Sequence, residues 1–368
     1  MSTAYWVAFN LTPGIGPVRQ RALLEHFGSL ERAWHASVEE LRQAGLDRRS
    51  IENLVRTRQA ISLEKEMARI AQVGAEVLTL EDPRYPANLR QIPDAPPLLY
   101  MVGNLLPQDE WAVAIVGTRR ATVYGKEVTR RLAYGLARNG ITVVSGLARG
   151  IDATAHQAAL DAGGRTIAVL GSGIDLIYPT EHRHLAQAIR EHGALLSEYP
   201  LGTKPEARNF PPRNRIISGL SRGVVIAEAG AHSGALITAD YAAEQGRDVF
   251  AVPGNILNPS SAGCNQLIRD GARPVLGVED ILEELNLRQA VEQAEARTVL
   301  PSNPTEARLM ALLSEEPRHV DELGLASGLP IAVVTSTLAL MELKGLVRQV
   351  GGMHYVLARE APPSYGIG

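Results

Sequence analysis

The chain of 368 residues carries 37 Lys and Arg against 40 Asp and Glu, a formal charge of −3, with 45 % hydrophobic and 21 % charged residues. That length implies two or three domains, the composition excludes a disordered chain, and the near balance of charge leaves only local clusters of Lys and Arg to argue for nucleic acid. The single cysteine, Cys264, rules out an internal disulfide, while the lack of zinc-ligand spacing, of a basic leader and of a run of roughly 18 apolar residues points to a cytoplasmic protein without metal or membrane contact.

Residues 1–72 read as a helical domain, because apolar positions recur at helical spacing in VRQRALLEHFGSLERAW, SVEELRQAGL and SIENLVRTRQAI. Within it TPGIGPVRQRALLEHFG, Thr12 to Gly28, sets a Gly-Ile-Gly turn before a helix, as a helix-hairpin-helix does. Such a turn grips a backbone phosphate or merely joins packed helices, and the residues leave both readings open.

Residues 73–287 form the next domain, in which apolar strands alternate with amphipathic helices. The strands are EVLTL, AVAIV, ITVVS, TIAVL, ALLSE, GVVIAE and DVFAV, separated for the most part by helical segments such as KEVTRRLAYGLARNG and GALITADYAAEQG. This alternation predicts an α/β fold, an extended Rossmann-like parallel sheet with ligands at the C-terminal strand ends. Between the first two strands DPRYPANLRQIPDAPPLLYMVGN holds five prolines and is expected to wrap the sheet edge, not to form a regular helix.

Residues 288–303 read as a linker, and residues 304–360 as a winged-helix domain of three helices and a Gly-turned hairpin. Its recognition helix, Pro330 to Leu343, has no Lys or Arg and one acid, Glu342. Major-groove readout has little to work with there, which favours a protein partner or structural packing.

The loops after the strands carry the chemistry. AVAIVGTRRATVYG runs a buried strand into Gly117, Thr118, Arg119 and Arg120. It lacks the G-x-G-x-x-G of a dinucleotide site, since positions 119 and 122 are Arg and Thr, and it lacks a P-loop, since Arg120 and Glu127 stand where Gly and Ser or Thr are needed. No cofactor is therefore expected. What remains is two planar cationic donors beside a glycine, suited to phosphate oxygens. In SGLARGIDATAH, Ser145, Gly146 and Gly150 offer backbone amides and a helix N-terminus to an anion, with Asp152 as N-cap. Asp152 and His156 read either as a catalytic pair or as a capping and packing pair. In ARNFPPRNRIISGLSRG, Arg208, Arg213, Arg215 and Arg222 surround Phe210 with no acid from Ala207 to Ala227, as in a single-strand binder whose aromatics stack bases while cations follow the backbone. The prolines after Phe210 favour an exposed ring. In EAGAHSGALITADYAAEQG, Ser233 and Gly234 precede another helix and offer one more anion site.

With YPANLRQIPDAPPLLYMVGN, LGSGIDLIYP, LLSEYPLG and VFAVPGN, these stretches over residues 76–280 resemble, in order, the motifs of the DNA-processing protein A (DprA, or Smf) family. The resemblance implies a homodimer that binds and protects single-stranded DNA and loads the recombinase RecA onto it in natural transformation. It implies no established catalytic activity, so no catalytic residue is assigned. Its DNA pocket implies roles for Arg119 and, around F-x-x-R-N-R, for Arg208, Phe210, Arg213, Asn214 and Arg215. The family's basic residue ahead of that Phe is here either Lys204 or Arg208.

Two rivals stand beside this. EAGAHSGALITADYAAE is similar to the Pro-Gly-Gly-x-Gly-Thr loop of Rossmann-like enzymes that cleave nucleoside monophosphates, with Glu228 as the catalytic carboxylate, but Ala229, Ala231 and His232 break the glycine run. A duplex-binding regulator built on the winged helix is weakened by its uncharged recognition helix.

Overall fold

The computed structural model describes residues 2–287, 303–314, 316–343 and 346–357. The chain divides into two compact units, Met1–Leu287 and Arg288–Gly368. The expected linker, 288–303, lies outside the described residues except for Asn303.

Six helices open the first unit: α1 (Ser2–Asn10), α2 (Pro17–Phe27), α3 (Leu30–His35), α4 (Val38–Gln43), α5 (Arg48–Ala60) and α6 (Leu63–Gln72). Local chemistry sets their ends. Ser29, Ser37, Asp47 and Ser62 accept backbone N–H bonds at the starts of α3 to α6, and Gly28 closes α2 in the left-handed region. The Gly-Ile-Gly turn is pinned from within, because Arg19 donates to the Gly14 carbonyl at 2.6 Å and Asn53 to the Pro13 carbonyl at 2.9 Å.

The sheet follows, with β1 (Glu76–Thr79), β2 (Leu98–Gly103), β3 (Ala112–Gly117), β4 (Thr142–Ser145), β5 (Thr166–Val169), β6 (Gly193–Ser197), β7 (Gly223–Glu228), β8 (Asp248–Ala251) and β9 (Arg273–Pro274). Its order is β1-β2-β6-β5-β4-β3-β7-β8-β9. From β6 to β9 every neighbouring pair is parallel, whereas β2 is antiparallel to both β6 and β1. The sheet is thus mixed at one edge. The proline-rich segment does more than wrap that edge: it holds a one-turn helix, α7 (Ala87–Arg90), and supplies β2, an internal strand. The remaining helices are α8 (Val123–Arg138), α9 (Ile151–Asp161), α10 (Arg183–His192), α11 (Phe210–Leu220), α12 (Leu236–Glu244), α13 (Ala262–Arg269) and α14 (Val278–Glu284).

Strand alternation divides the core. Leu98, Tyr100 and Val102 pack with Trp6, Phe9, Leu23 and Leu54 of the N-terminal helices, while Leu99 and Met101 join Ala114, Val116, Ile216 and Ile226 on the other face. The N-terminal helices therefore share a core with the sheet, and Tyr100 adds a 3.1 Å bond to Asn10.

In the second unit, α15 (Pro304–Leu312), β10 (Arg318–His319), α16 (Val320–Ser327), α17 (Ile331–Leu343), β11 (Val347–Gln349) and β12 (His354–Leu357) form a winged helix with strand order β10-β12-β11. Leu309, Leu323, Val334, Leu338 and Met341 fill its core. No single helix among the described residues is long and apolar enough to cross a membrane.

Candidate functional site

From β3 the chain winds outward through β4 and β5 to β6, then returns to β7 on the other side of β3. The loops after β3 and β7 therefore diverge at a topological switch point, where doubly wound sheets open a crevice. A cleft of about 570 Å³ lies there, lined among others by Gly117, Thr118, Arg119, Arg120, Phe210, Arg213, Asn214, Ser233 and Gly234.

Glu228, at the end of β7, organises the first loop. It is 2 % exposed, and its carboxylate accepts the Thr122 N–H at 2.8 Å and the Thr122 hydroxyl at 2.6 Å, while its carbonyl accepts the Thr118 N–H at 2.8 Å. Residues 118–121 are thereby held as an arch between β3 and α8, with Arg119 and Arg120 exposed and without an ion pair among the described residues. A carboxylate so engaged beside a helix N-terminus is a loop anchor, and it does not line the cleft. That removes the group on which the nucleotide-cleaving reading depended.

The second loop differs from expectation. Ser145 is fully buried and donates to the Ile115 carbonyl at 2.7 Å, so it belongs to the sheet. The N–H groups of Gly146 and Ala148 donate to Asp152 at 3.2 and 3.3 Å, so these amides serve an internal carboxylate and not an external anion. The N-cap of α9 is Gly150, not Asp152. Gly150 has φ +77°, and a Cβ there would lie 2.4 Å from the Thr118 carbonyl oxygen, so a glycine lets this loop rest on the arginine arch. His156 makes no pair with Asp152. The Thr166 hydroxyl donates to Val143 at 2.7 Å and so accepts from His156 Nδ1 at 2.6 Å, leaving the buried Nε2 without a partner among the described residues. Burial, reinforced by His182 and Arg213, holds the His156 imidazolium down at about 3.

The third stretch is helix, not loop. Phe210 opens α11 and Pro211 and Pro212 lie in its first turn, where a missing N–H costs nothing. The ring is half-buried, not freely exposed, and a Cβ on Gly171 would sit 2.7 Å from it. The Arg119 guanidinium lies 5.1 Å from the ring centroid, Arg213 5.8 Å, and the Tyr178 ring 5.9 Å. Arg213 is 4 % exposed and donates to the carbonyls of Gly146 and Val169, bracing the ends of β4 and β5. Burial lowers its pKa to about 10, against the opposing pull of Asp152, so it stays a cation at neutral pH. Asp152 is pushed up by its own burial, with Arg213 opposing.

Arg215 turns away from the cleft. It is 5 % exposed and meets Glu198 through two bonds of 2.7 Å and Asp94 at 2.9 Å, which commits its guanidinium to the core. Arg222 lies at the opposite end of the sheet, stacked 4.7 Å from the Trp111 ring and donating to the Glu110 carbonyl. Lys204 and Arg208 are exposed on the approach to α11, Arg208 pairing with Glu206 at 2.7 Å, while Pro205 and Ala207 beside them line the cleft. Asn214 and Gly234 bridge the two walls, the amide donating to the carbonyl at 3.5 Å. Tyr178 and Thr238 line the cleft without having been picked out individually. The signal for Tyr178 was an aromatic closing the glycine loop LGSGIDLIYP after β5.

This is a Rossmann-like α/β protein with an arginine and aromatic cleft at its switch point, suited to anions that carry planar groups, and with a separate winged-helix unit. Residues 76–286 match the family model for DNA recombination-mediator protein A and residues 292–353 that for the DprA winged helix domain. The chain is similar to Protein Smf of Synechocystis, 39 % identical over 96 % of this chain and 98 % of that one, and to DNA processing protein DprA of Streptococcus pneumoniae, 48 % identical over 55 % and 72 %. Among solved structures it is similar to the S. pneumoniae protein, with TM-score 0.69 and 37 % identity over 76 % of this chain and 97 % of that one. It is also similar to the Helicobacter pylori DNA processing protein A, whose structure describes a single-stranded DNA binding mode, with TM-score 0.52 and 34 % identity over 57 % and 95 %. The chain belongs to the DNA recombination-mediator protein A family. Its relatives from Bacillus subtilis and S. pneumoniae carry the name DNA processing protein DprA.

Proposed function

We propose that this protein binds single-stranded DNA in the switch-point cleft and, as a homodimer, protects the strand and loads RecA onto it. The observation that carries the reading is Arg119: an exposed guanidinium without a carboxylate partner among the described residues, 5.1 Å from the half-buried Phe210 ring. Such a pair gives a phosphate a cation and a base a planar face, which is what sequence-tolerant single-strand binding requires. Gly117, Thr118, Arg120, Ser233 and Gly234 complete the walls, and Lys204 and Arg208 extend the positive charge beyond the rim. The single-stranded DNA named for the H. pylori relative supports the same reading.

Fluorescence anisotropy of a labelled oligothymidylate and a matched duplex over a salt series tests it. Preference for the single strand with a negative salt slope is expected, and equal binding of both, or of neither, overturns it. Sedimentation at micromolar concentration checks the dimer, and strand exchange by RecA on protein-coated single strands checks loading. For the winged helix the reading is a protein contact, because α17 has neither Lys nor Arg along IAVVTSTLALMEL. Binding of duplex by residues 300–368 alone at physiological salt would refute that.

A further inference from the structure

We propose that the bound strand does not end at the cleft but continues over an apolar shelf beside it, where aliphatic side chains meet the bases. This rests on the single-strand reading above. The shelf is formed by the start of α8 and the loop after β8, which leaves the sheet at the same end as the cleft. Val123, Ile256 and Leu257 are 87 %, 88 % and 85 % exposed there, and Tyr124 and the loop residues Pro253, Gly254 and Asn255 together line a hollow of about 590 Å³. The loop does not flop outward for want of fixing. Tyr124 donates to the Pro253 carbonyl at 2.8 Å, Gly254 and Asn265 exchange bonds of 3.1 and 3.0 Å, and the Leu257 N–H donates to Asn255 at 2.8 Å. A loop held this firmly, with its two largest apolar side chains in water, is built to meet something.

The charges beside it select a polyanion. Arg120, which lines the cleft, and Lys126, on the first turn of α8, are exposed and make no ion pair among the described residues, whereas the nearby Glu127 is occupied by Arg130 and Arg131. The shelf is thus continuous with the cleft through the arginine arch, offering apolar surface for bases and unpaired cations for phosphates.

The test uses the full chain and oligothymidylates of about 6 and about 16 residues, lengths at the ends of the range that compact single-strand sites occupy. Replacing Ile256→Ser and Leu257→Ser together should leave the short oligomer's affinity unchanged, which also reports an intact fold, and weaken the long one roughly 5- to 30-fold. Lys126→Ala should lower the salt slope for the long oligomer alone, by about 0.7. Unchanged affinity for the long oligomer in the double variant overturns the proposal. So does loss of self-association in sedimentation with DNA affinity intact, which would assign the shelf to a second copy. If the unaltered protein binds neither oligomer, the single-strand reading itself fails and the shelf with it; short-oligomer binding without a length effect refutes the shelf alone.

Discussion

Replacing Arg119 by alanine isolates one cation of the cleft, because among the described residues the face of the Phe210 ring is the contact its guanidinium makes. It is exposed and has no ion pair among the described residues, so truncation orphans no carboxylate and should cost stability no more than its contact with Phe210, about 0.5 to 1 kcal/mol. The loss belongs to binding. A charge-assisted bond to a phosphate is worth roughly 1.5 to 3 kcal/mol, or about 10- to 150-fold in affinity at low salt. One phosphate fewer to neutralise lowers the single-strand salt slope by about 0.7, so over a fourfold rise in salt the unaltered protein should lose about 2.6 times more affinity than the variant. Arg119→Lys separates charge from shape. It keeps the slope but loses the planar contact 5.1 Å from Phe210, at a cost of about 0.5 to 2 kcal/mol. Phe210→Ala should likewise weaken binding with the slope nearly unchanged, since stacking releases no counterions. Anisotropy titrations of all four proteins across the salt series give both numbers. Equal slopes for the unaltered protein and Arg119→Ala would refute the argument, because a guanidinium on a phosphate cannot leave the slope untouched.

The other expectations concern the groups behind the surface. Arg215→Met leaves the largely buried Glu198 carboxylate without its partner, which should cost about 3 kcal/mol and lower the melting temperature by roughly 10 °C while the folded fraction binds DNA normally; lost binding at unchanged stability would return Arg215 to the cleft. Gly171→Ala drives a Cβ to within 2.7 Å of Phe210, and displacement of the ring should weaken binding about fivefold without altering the salt slope. His156 refuses in the folded state a proton that the unfolded chain takes up near pH 6.5. Its contribution to stability is therefore full above that value and is lost as pH falls toward 3, by at most about 5 kcal/mol. Urea midpoints from pH 7 to pH 4 should fall less steeply in His156→Leu, and parallel profiles would show that another group governs the acid limb.

Strands buried on both faces were readable because they are short, apolar and bounded by glycine, as AVAIVG and GVVIAE are. LLYMVG has the same character but follows Pro96 and Pro97, and the prolines drew it into a loop although a strand can begin directly after them. The arginine cluster around Phe210 misled in another way. Sequence shows charge but not partners: Glu198 lies 17 residues before Arg215, Asp94 lies further off still, and only the fold brings them together. Arg222 sits just before β7 and so falls at the N-terminal end of the strands, opposite the cleft. The amides of SGLARG looked available because their acceptor, Asp152, is supplied by the same loop's own helix.

Part of that could have been resolved from the residues, given one further step. Prolines are tolerated in the first turn of a helix, so Phe210-Pro-Pro is a helix start as well as a turn. Once α11 begins at Phe210, the positions sharing its face are three, four and seven residues on, namely Arg213, Asn214 and Ile217. These four side chains all line the cleft, whereas Arg215, two residues beyond Arg213, is rotated by roughly 200° and meets Glu198 behind it. A helix cannot turn both arginines toward one ligand. The F-x-x-R-N-R stretch therefore divides by geometry into one arginine that braces the strand ends beneath the ring and one that locks the helix to the core, and the exposed cation comes from a different loop, as Arg119.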